Sequence, residues 1–319
     1  MCLQCCLSAS VYTCSFIFYH TALPAPVHMA SACFKFKQFT VWHDRCAMKV
    51  GTDGVLLGAW CPVEEFRGSG ALISPEGSND YSQANVQEFR SASEPLNSEA
   101  SEHFTKVLDI GTGSGLIALM LAQRIEKAQI TAIDIDNGAV EQAKYNFEQS
   151  LWADRLECQQ VALQELKGEN IYDLIVSNPP YFQDSLKNPD CQRAMARHTD
   201  TLSYEELLKH SARLLTNNGI IALVLPIEAE KQIIVLAKQY QLYPTHLTYV
   251  YPKPGKAAKR LLIALQAYPP PFPEYTTKCH VHFQDPRERK GTKLDDLTLE
   301  SESAPRSEAY KELTKEFYL

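Results

Sequence analysis

The sequence predicts an α/β fold: a mostly parallel sheet of seven strands with a terminal antiparallel strand and helices on both faces. Three observations carry this expectation. Short runs rich in Val, Ile and Leu alternate with helical patterns between residues 104 and 283, as βαβ units require. A turn with three glycines, Gly111-Thr-Gly-Ser-Gly115, stands where one such run gives way to a helical pattern. At 319 residues and 45% apolar composition, the chain has the material to bury a large core.

The elements follow in order. Val107 to Ile110 is the first strand, opening through the glycine turn into an apolar helix from Leu116 to Arg124. Ile130 to Ile133 is the second strand, ended by Asp134, and Asn137 to Ser150 is helical. Leu156 to Val161 is a weaker third strand. Tyr172 to Val176 is the fourth and leads into Asn178-Pro-Pro-Tyr181. Tyr204 to Leu215 reads as a helix, stopped by Asn217-Asn218-Gly219. Ile220 to Leu225 is a fifth strand closed by Pro226, and Ala229 to Tyr240 is a helix. Thr245 to Tyr251 and Leu261 to Ala267 are the last two strands, with a basic loop between them. No internal repeat is visible.

Around this core, composition divides the chain. Residues 1–33 form a leader with no Asp, Glu, Lys or Arg. It lacks the charged start of a secretory signal, and its apolar run is too short to span a membrane. Residues 1–28 read as an extension upstream of Met29. Residues 34–61 precede a polar, low-complexity insert over 62–103, whose Ser, Glu, Asn and Gln cannot bury enough apolar area to order a core. Residues 104–283 are the core domain, and 284–319 a polar C-terminal segment. Ten cysteines, four of them crowded into the first fourteen residues, make no disulfide framework and suit a reducing cytosol. Cys2, Cys5 and Cys6 lack a second Cys or His pair at ligand spacing, so no metal site is expected. Lys plus Arg number 31 against 38 Asp plus Glu, a net charge of -7, so any nucleic-acid contact must be a local patch.

Two motifs carry chemistry. In Asp109-Ile-Gly111-Thr-Gly113-Ser-Gly115, the glycines let a ligand approach the backbone at a helix N-terminus. Leu116 stands where a dinucleotide fingerprint needs its third glycine, so a nicotinamide half is not demanded. Asp134 is placed to accept from both ribose hydroxyls of an adenosine, and Asp109 is expected to face the same crevice. The bland alternative is a tight turn with Asp134 capping the next helix.

Asn178, Pro179, Pro180 and Tyr181 follow the fourth strand at the point where strand order reverses and ligands bind. The nitrogen of an exocyclic amine or a side-chain amide is a poor nucleophile, because its lone pair is delocalised. The Asn178 side-chain oxygen and the Pro179 carbonyl can each accept an N–H bond and turn that lone pair outward. Proline holds the carbonyl rigid, and Tyr181 offers a face for a planar group. Loop punctuation is the plain alternative. Between the last two strands, Lys253, Lys256, Lys259 and Arg260 occur with no acid among them and suit a phosphate backbone. Lys35 and Lys37, interleaved with Phe34, Phe36 and Phe39, would extend that patch. A solvated hairpin loop is the alternative.

The glycine turn together with Asn178-Pro-Pro-Tyr181 resembles the class I, Rossmann-like S-adenosylmethionine-dependent methyltransferases that act on amino groups. More narrowly, the stretch from Phe34 to Trp60 and Arg197-His-Thr-Asp-Thr-Leu-Ser-Tyr204 resemble the bacterial tRNA1(Val) (adenine-37-N6)-methyltransferases. The match covers residues 34–61 and 104–319. The resemblance implies S-adenosyl-L-methionine as cofactor and a tRNA anticodon loop as partner, with methylation of the adenine just 3′ of the anticodon. It also implies that Thr52 and Asp53 help close the pocket over the methionine part of the cofactor. The leader and the insert depart from the family pattern. Protein glutamine N5-methyltransferases of release factors share the reacting turn but carry a helical domain where this chain has its polar insert. Other adenine N6-methyltransferases of RNA or DNA, and a non-catalytic binding module, are the remaining alternatives.

Overall fold

The computed structural model describes residues 32–46, 49–63, 105–180, 202–267 and 292–318. All lie in the unit spanning Ala32–Leu319. Tyr181, Arg197 to Thr201 and nearly all of the leader and insert lie outside the described residues.

A short hairpin, β1 (Cys33–Lys35) and β2 (Thr40–Trp42), comes first, followed by α1 (Thr52–Trp60). The core then alternates β3 (Thr105–Ile110), α2 (Leu116–Arg124), β4 (Ala128–Asp134), α3 (Asn137–Glu148), β5 (Leu156–Gln160) and β6 (Tyr172–Ser177). It continues with α4 (Tyr204–Leu214), β7 (Leu215–Pro226), α5 (Glu230–Gln239), β8 (Leu242–Tyr251), β9 (Arg260–Ala267), β10 (Lys293–Thr298) and α6 (Glu308–Thr314). Asp136 caps α3 by accepting from Gly138 N at 3.1 Å, and Ser203 with Glu206 forms a capping box on α4.

The main sheet runs in the order β10-β8-β9-β7-β6-β3-β4-β5. Every neighbouring pair is parallel except those made by β9, which is antiparallel to both β7 and β8. The α/β class therefore stands as expected, with two corrections. The sheet has eight strands rather than seven, and the antiparallel strand is internal rather than terminal. The eighth strand, β10, reads as polar because Lys293, Asp295 and Asp296 crowd it. An edge strand has only one neighbour, and charges there prevent further pairing; its Leu297 is buried at 6% exposure. Asn217, Asn218 and Gly219 are not a stop before β7 but lie inside it, where the register with β6 shifts.

One face of the sheet carries α1, α2, α3 and α6, and the other carries α4 and α5. Helix α1 is buried on all sides from Gly54 to Trp60. It lies so close to α2 that a Cβ on Gly58 would stand 2.6 Å from Met120 Sδ. Its end is pinned where the Trp60 indole donates to Thr248 Oγ at 2.8 Å. The β1–β2 hairpin closes on the C-terminus. Phe36 stacks on Phe39 at 4.6 Å and on Tyr318 at 5.9 Å, and Lys37 N donates to the Phe317 carbonyl at 2.8 Å. Phe36 and Phe39 are thus core residues at 4% and 7% exposure, not the nucleic-acid platform that their spacing with lysines suggested.

Candidate active site at the carboxyl edge of the sheet

Strand order reverses between β3 and β6: from β3 the chain first builds outward through β4 and β5, then returns to β6 and β7. The carboxyl ends of these strands meet at the crevice such sheets use for ligands. Ser177, the last residue of β6, ties the two sides together by donating from Oγ to the Ile110 carbonyl at 2.9 Å. Asn178, Pro179 and Pro180 begin there; Asn178 is half-buried, Pro179 buried and Pro180 exposed. The turn expected to carry the chemistry therefore leaves β6 beside the glycine turn that leaves β3.

The glycine turn is held open by its backbone. Gly111, Gly113 and Gly115 adopt φ of 68°, 56° and 81°, a region costly for residues with a Cβ. Gly111 N and Thr112 N both donate to the Ile133 carbonyl, at 2.9 and 3.1 Å. A Cβ on Gly111 or Gly113 would meet nothing within 4 Å, whereas one on Gly115 would stand 2.5 Å from the Phe147 ring. The turn thus presses on α3 at one end and presents bare backbone to open space at the other. That arrangement fits a ligand approaching at the N-terminus of α2.

Asp134 stands across the opening, half-buried. Its Oδ2 accepts from Gly113 N at 2.9 Å and its Oδ1 from Asp136 N at 3.0 Å. An ionised carboxylate offers about four lone-pair sites, so both oxygens keep capacity for hydroxyl donors. Asp136, rather than Asp134, caps α3. Asp109 was expected to face this crevice but lies beneath the turn, fully buried. It accepts from Thr112 Oγ at 2.6 Å through Oδ2. Burial pushes its carboxyl up to about 7, against hydrogen bonds from Thr112 and Ala118 and reinforced by the charge of Asp134.

Thr52 and Asp53 open α1, half-buried. A Cβ on the next residue, Gly54, would stand 3.1 Å from Leu116, the first residue of α2, so the two helix N-termini share one mouth. Asp53 Oδ2 accepts from Arg260 Nε at 2.9 Å. Arg260 is thus engaged from the α1 side as well as with the basic loop, where its Nη1 donates to the Lys259 carbonyl at 3.0 Å. Its position opposite Pro226 puts the pair at the carboxyl end of β7. Lys253 pairs with Glu300 at 3.0 Å, an acid supplied from the far end of the chain. Lys256 and Lys259 are exposed. Of the four cations expected to line one patch, two therefore have a carboxylate beside them that local sequence does not reveal.

Sequence reasoning missed Gln142 and Asn146 of α3, each 1% exposed: Asn146 joins the glycine turn at Ser114 to Trp42 at the end of β2, and Gln142 accepts from Arg45 N just beyond it. A cavity lined by Lys106, Gln129, Asp154, Arg155 and Glu157 lies at the opposite, amino-terminal edge. There Arg155 is occupied by the carbonyls of Ala122 and Ile125 at the end of α2 and of Ala128 at the start of β4, so the cavity lacks the convergent chemistry of the carboxyl edge. Among the described residues, no group of three or more His, Cys, Asp or Glu could hold a metal ion, and no helix is long and apolar enough to cross a membrane.

Comparison with known proteins agrees with this geometry. The model of the methyltransferase small domain matches residues 82–242. A tRNA1(Val) (adenine(37)-N6)-methyltransferase of Parabacteroides distasonis is 44% identical over 293 residues, 91% of this chain and 99% of the relative. Relatives of the same name from Phocaeicola vulgatus and Flavobacterium johnsoniae are 41% and 38% identical, over 91% and 90% of this chain and 99% of each relative.

Proposed function

The chain belongs to the tRNA1(Val) (adenine(37)-N6)-methyltransferase family, and we propose that it methylates N6 of the adenine just 3′ of the anticodon in that tRNA. The observation that carries the chemistry is the meeting of two turns at the β3/β6 switch point: the open glycine turn and Asn178-Pro179-Pro180. S-adenosyl-L-methionine, when bound, supplies a sulfonium-activated methyl group.

The rest falls to the chain's own residues. The bare backbone of Gly111 and Gly113, with the N-terminus of α2, receives the cofactor, and Asp134 accepts from its ribose hydroxyls. Gly115 keeps the turn against α3, and buried Asp109 holds Thr112 beneath it. Thr52 and Asp53 wall the methionine side. The Asn178 side-chain oxygen and the Pro179 carbonyl accept the two N–H bonds of the adenine amino group. The nitrogen lone pair is thereby released from the ring and directed at the methyl carbon. Asn178 and Pro179 would hold that nitrogen facing the methyl group the cofactor supplies, and the N–H proton made surplus by methylation would be lost to solvent. Positioning supplies most of the acceleration, because no strong acid or base is needed before bond formation. Tyr181, outside the described residues, is assigned the face on which the base stacks.

The exposed Lys256 and Lys259 are assigned to the phosphates of the anticodon stem-loop, flanked by Lys253 and Arg260, which Glu300 and Asp53 hold in place, and there a single-stranded adenine is extracted at little cost. The test is Asn178→Ala, measured for tRNA methylation and for binding of S-adenosylhomocysteine. Loss of turnover with cofactor binding retained is expected. Loss of both would make the turn a structural element of the pocket instead.

A further inference from the structure

Helix α3 turns one stripe of its surface, at positions 138, 142 and 146, toward Trp42, the last residue of the hairpin, and the three residues after it, to Arg45. At the first position the helix must be bare: a Cβ on Gly138 would stand 2.8 Å from the Arg45 carbonyl oxygen. At the second, the Gln142 side-chain oxygen accepts from Arg45 N at 2.9 Å. At the third, Asn146 Oδ1 accepts from Trp42 N at 3.0 Å while its Nδ2 donates to the Trp42 carbonyl at 2.8 Å. Asn146 thus pairs with Trp42 through both of its backbone groups, as a neighbouring strand would.

The same Nδ2 donates a second time, to the Ser114 carbonyl at 2.8 Å, within the glycine turn. One buried amide, at 1% exposure, therefore uses both of its N–H groups and its oxygen on two pieces of chain far apart in sequence. The reverse placement of its oxygen and nitrogen would face Trp42 N with a donor and both carbonyls with an acceptor. The bonds themselves therefore fix the orientation. Trp42 to Arg45 lies as a strap along α3, with Arg45 beside Gly138 near the start of the helix and Trp42 beside Asn146 near its end. The turn that Asn146 also holds meets the second half of the helix, at Ala143 and Phe147.

We propose that Asn146 is a positioning residue for the cofactor, fixing the glycine turn and the strap at one separation so that the crevice bordered by the turn and Asp134 is preformed. This rests on the methyltransferase reading above and deepens it. Asn146 touches neither cofactor nor substrate and acts through Ser114 and Trp42. Its removal leaves the buried Ser114 carbonyl and the half-buried Trp42 carbonyl without this donor and frees the turn to shift.

The test uses the full chain. S-adenosylhomocysteine binding is measured by calorimetry for the wild type, Asn146→Asp and Gln142→Ala, with a melting curve for each and steady-state constants on tRNA. Asn146→Asp keeps the shape and the acceptor for Trp42 N but loses both donors. It is expected to weaken binding by about tenfold to a hundredfold. KM for S-adenosylmethionine should rise in step, while kcat at saturation stays within about threefold. Gln142→Ala loosens the strap without touching the turn and should weaken binding less. If Asn146→Asp does not fold, Asn146→Ser, which retains one hydroxyl donor, takes its place. Wild-type affinity in a folded Asn146 variant, with only its melting temperature lowered, overturns the proposal. Failure of the wild type itself to bind S-adenosylhomocysteine would instead overturn the methyltransferase reading.

Discussion

Asp109→Asn isolates the cost of a carboxylate buried beneath the cofactor turn. In the folded chain, burial raises this carboxyl from 3.8 to about 7. Between those values the native state holds a proton that the unfolded chain has released. Stability must then fall as pH rises from about 4 to about 7, and level off above. The side chain is fully buried, so solvent does not screen the effect. At 1.36 kcal/mol per unit, the shift amounts to on the order of 4 kcal/mol between the two limits. Asparagine keeps the shape and an oxygen for Thr112 Oγ but cannot ionise. The variant should therefore match the wild type near pH 4 and exceed it progressively above. Between pH 5 and pH 8 the difference should grow by on the order of 3 kcal/mol. Urea unfolding of both proteins across that range, without cofactor, reads it directly. A constant offset would refute the assignment of a raised pKa to Asp109, and a difference shrinking with pH would reverse its sign.

Other consequences follow from the packing and the charges. Gly58→Ala gains about 1 kcal/mol of helix propensity, but it drives a methyl group into Met120 at an overpacking cost of about 1–3 kcal/mol. The clash wins, so calorimetry should show a lower melting temperature, and a rise would mean that α1 does not lie on α2 as closely as described. Lys256→Glu with Lys259→Glu should weaken tRNA binding and flatten the dependence of log K on log salt by roughly one per lysine removed, read by filter binding across a salt series. An unchanged slope would remove the hairpin loop from the RNA interface. The same double variant should bind S-adenosylhomocysteine as the wild type does, since both lysines stand on the exposed loop.

Much of the fold was legible because its signals are local. The strand ending at Ile110, the glycines after it, Asp134 and the Asn-Pro-Pro turn occur in an order and spacing that only a βαβ crevice uses together. What escaped depends on partners distant in sequence. Lys293 to Thr298 looks like a polar tail because an edge strand buries so little, and only the backbone groups of β8 make it a strand. Phe36 and Phe39 beside lysines imitate a nucleic-acid surface, yet Tyr318 and Trp152 cover them. Arg260 reads as one cation of a patch until Asp53, 207 residues earlier, accepts its hydrogen bond. Asn146 has no local signal at all: a buried asparagine in a helix is explained only by the two carbonyls and one amide it satisfies.

The most direct test of the central claim is to supply the protein with methyl-labelled S-adenosylmethionine and unmodified tRNA1(Val), digest the RNA and identify the labelled nucleoside. The prediction is N6-methyladenosine from the position 3′ of the anticodon, and no label when that adenine is replaced by guanine. Label at another adenine, or label carried by a protein substrate in place of RNA, would contradict it.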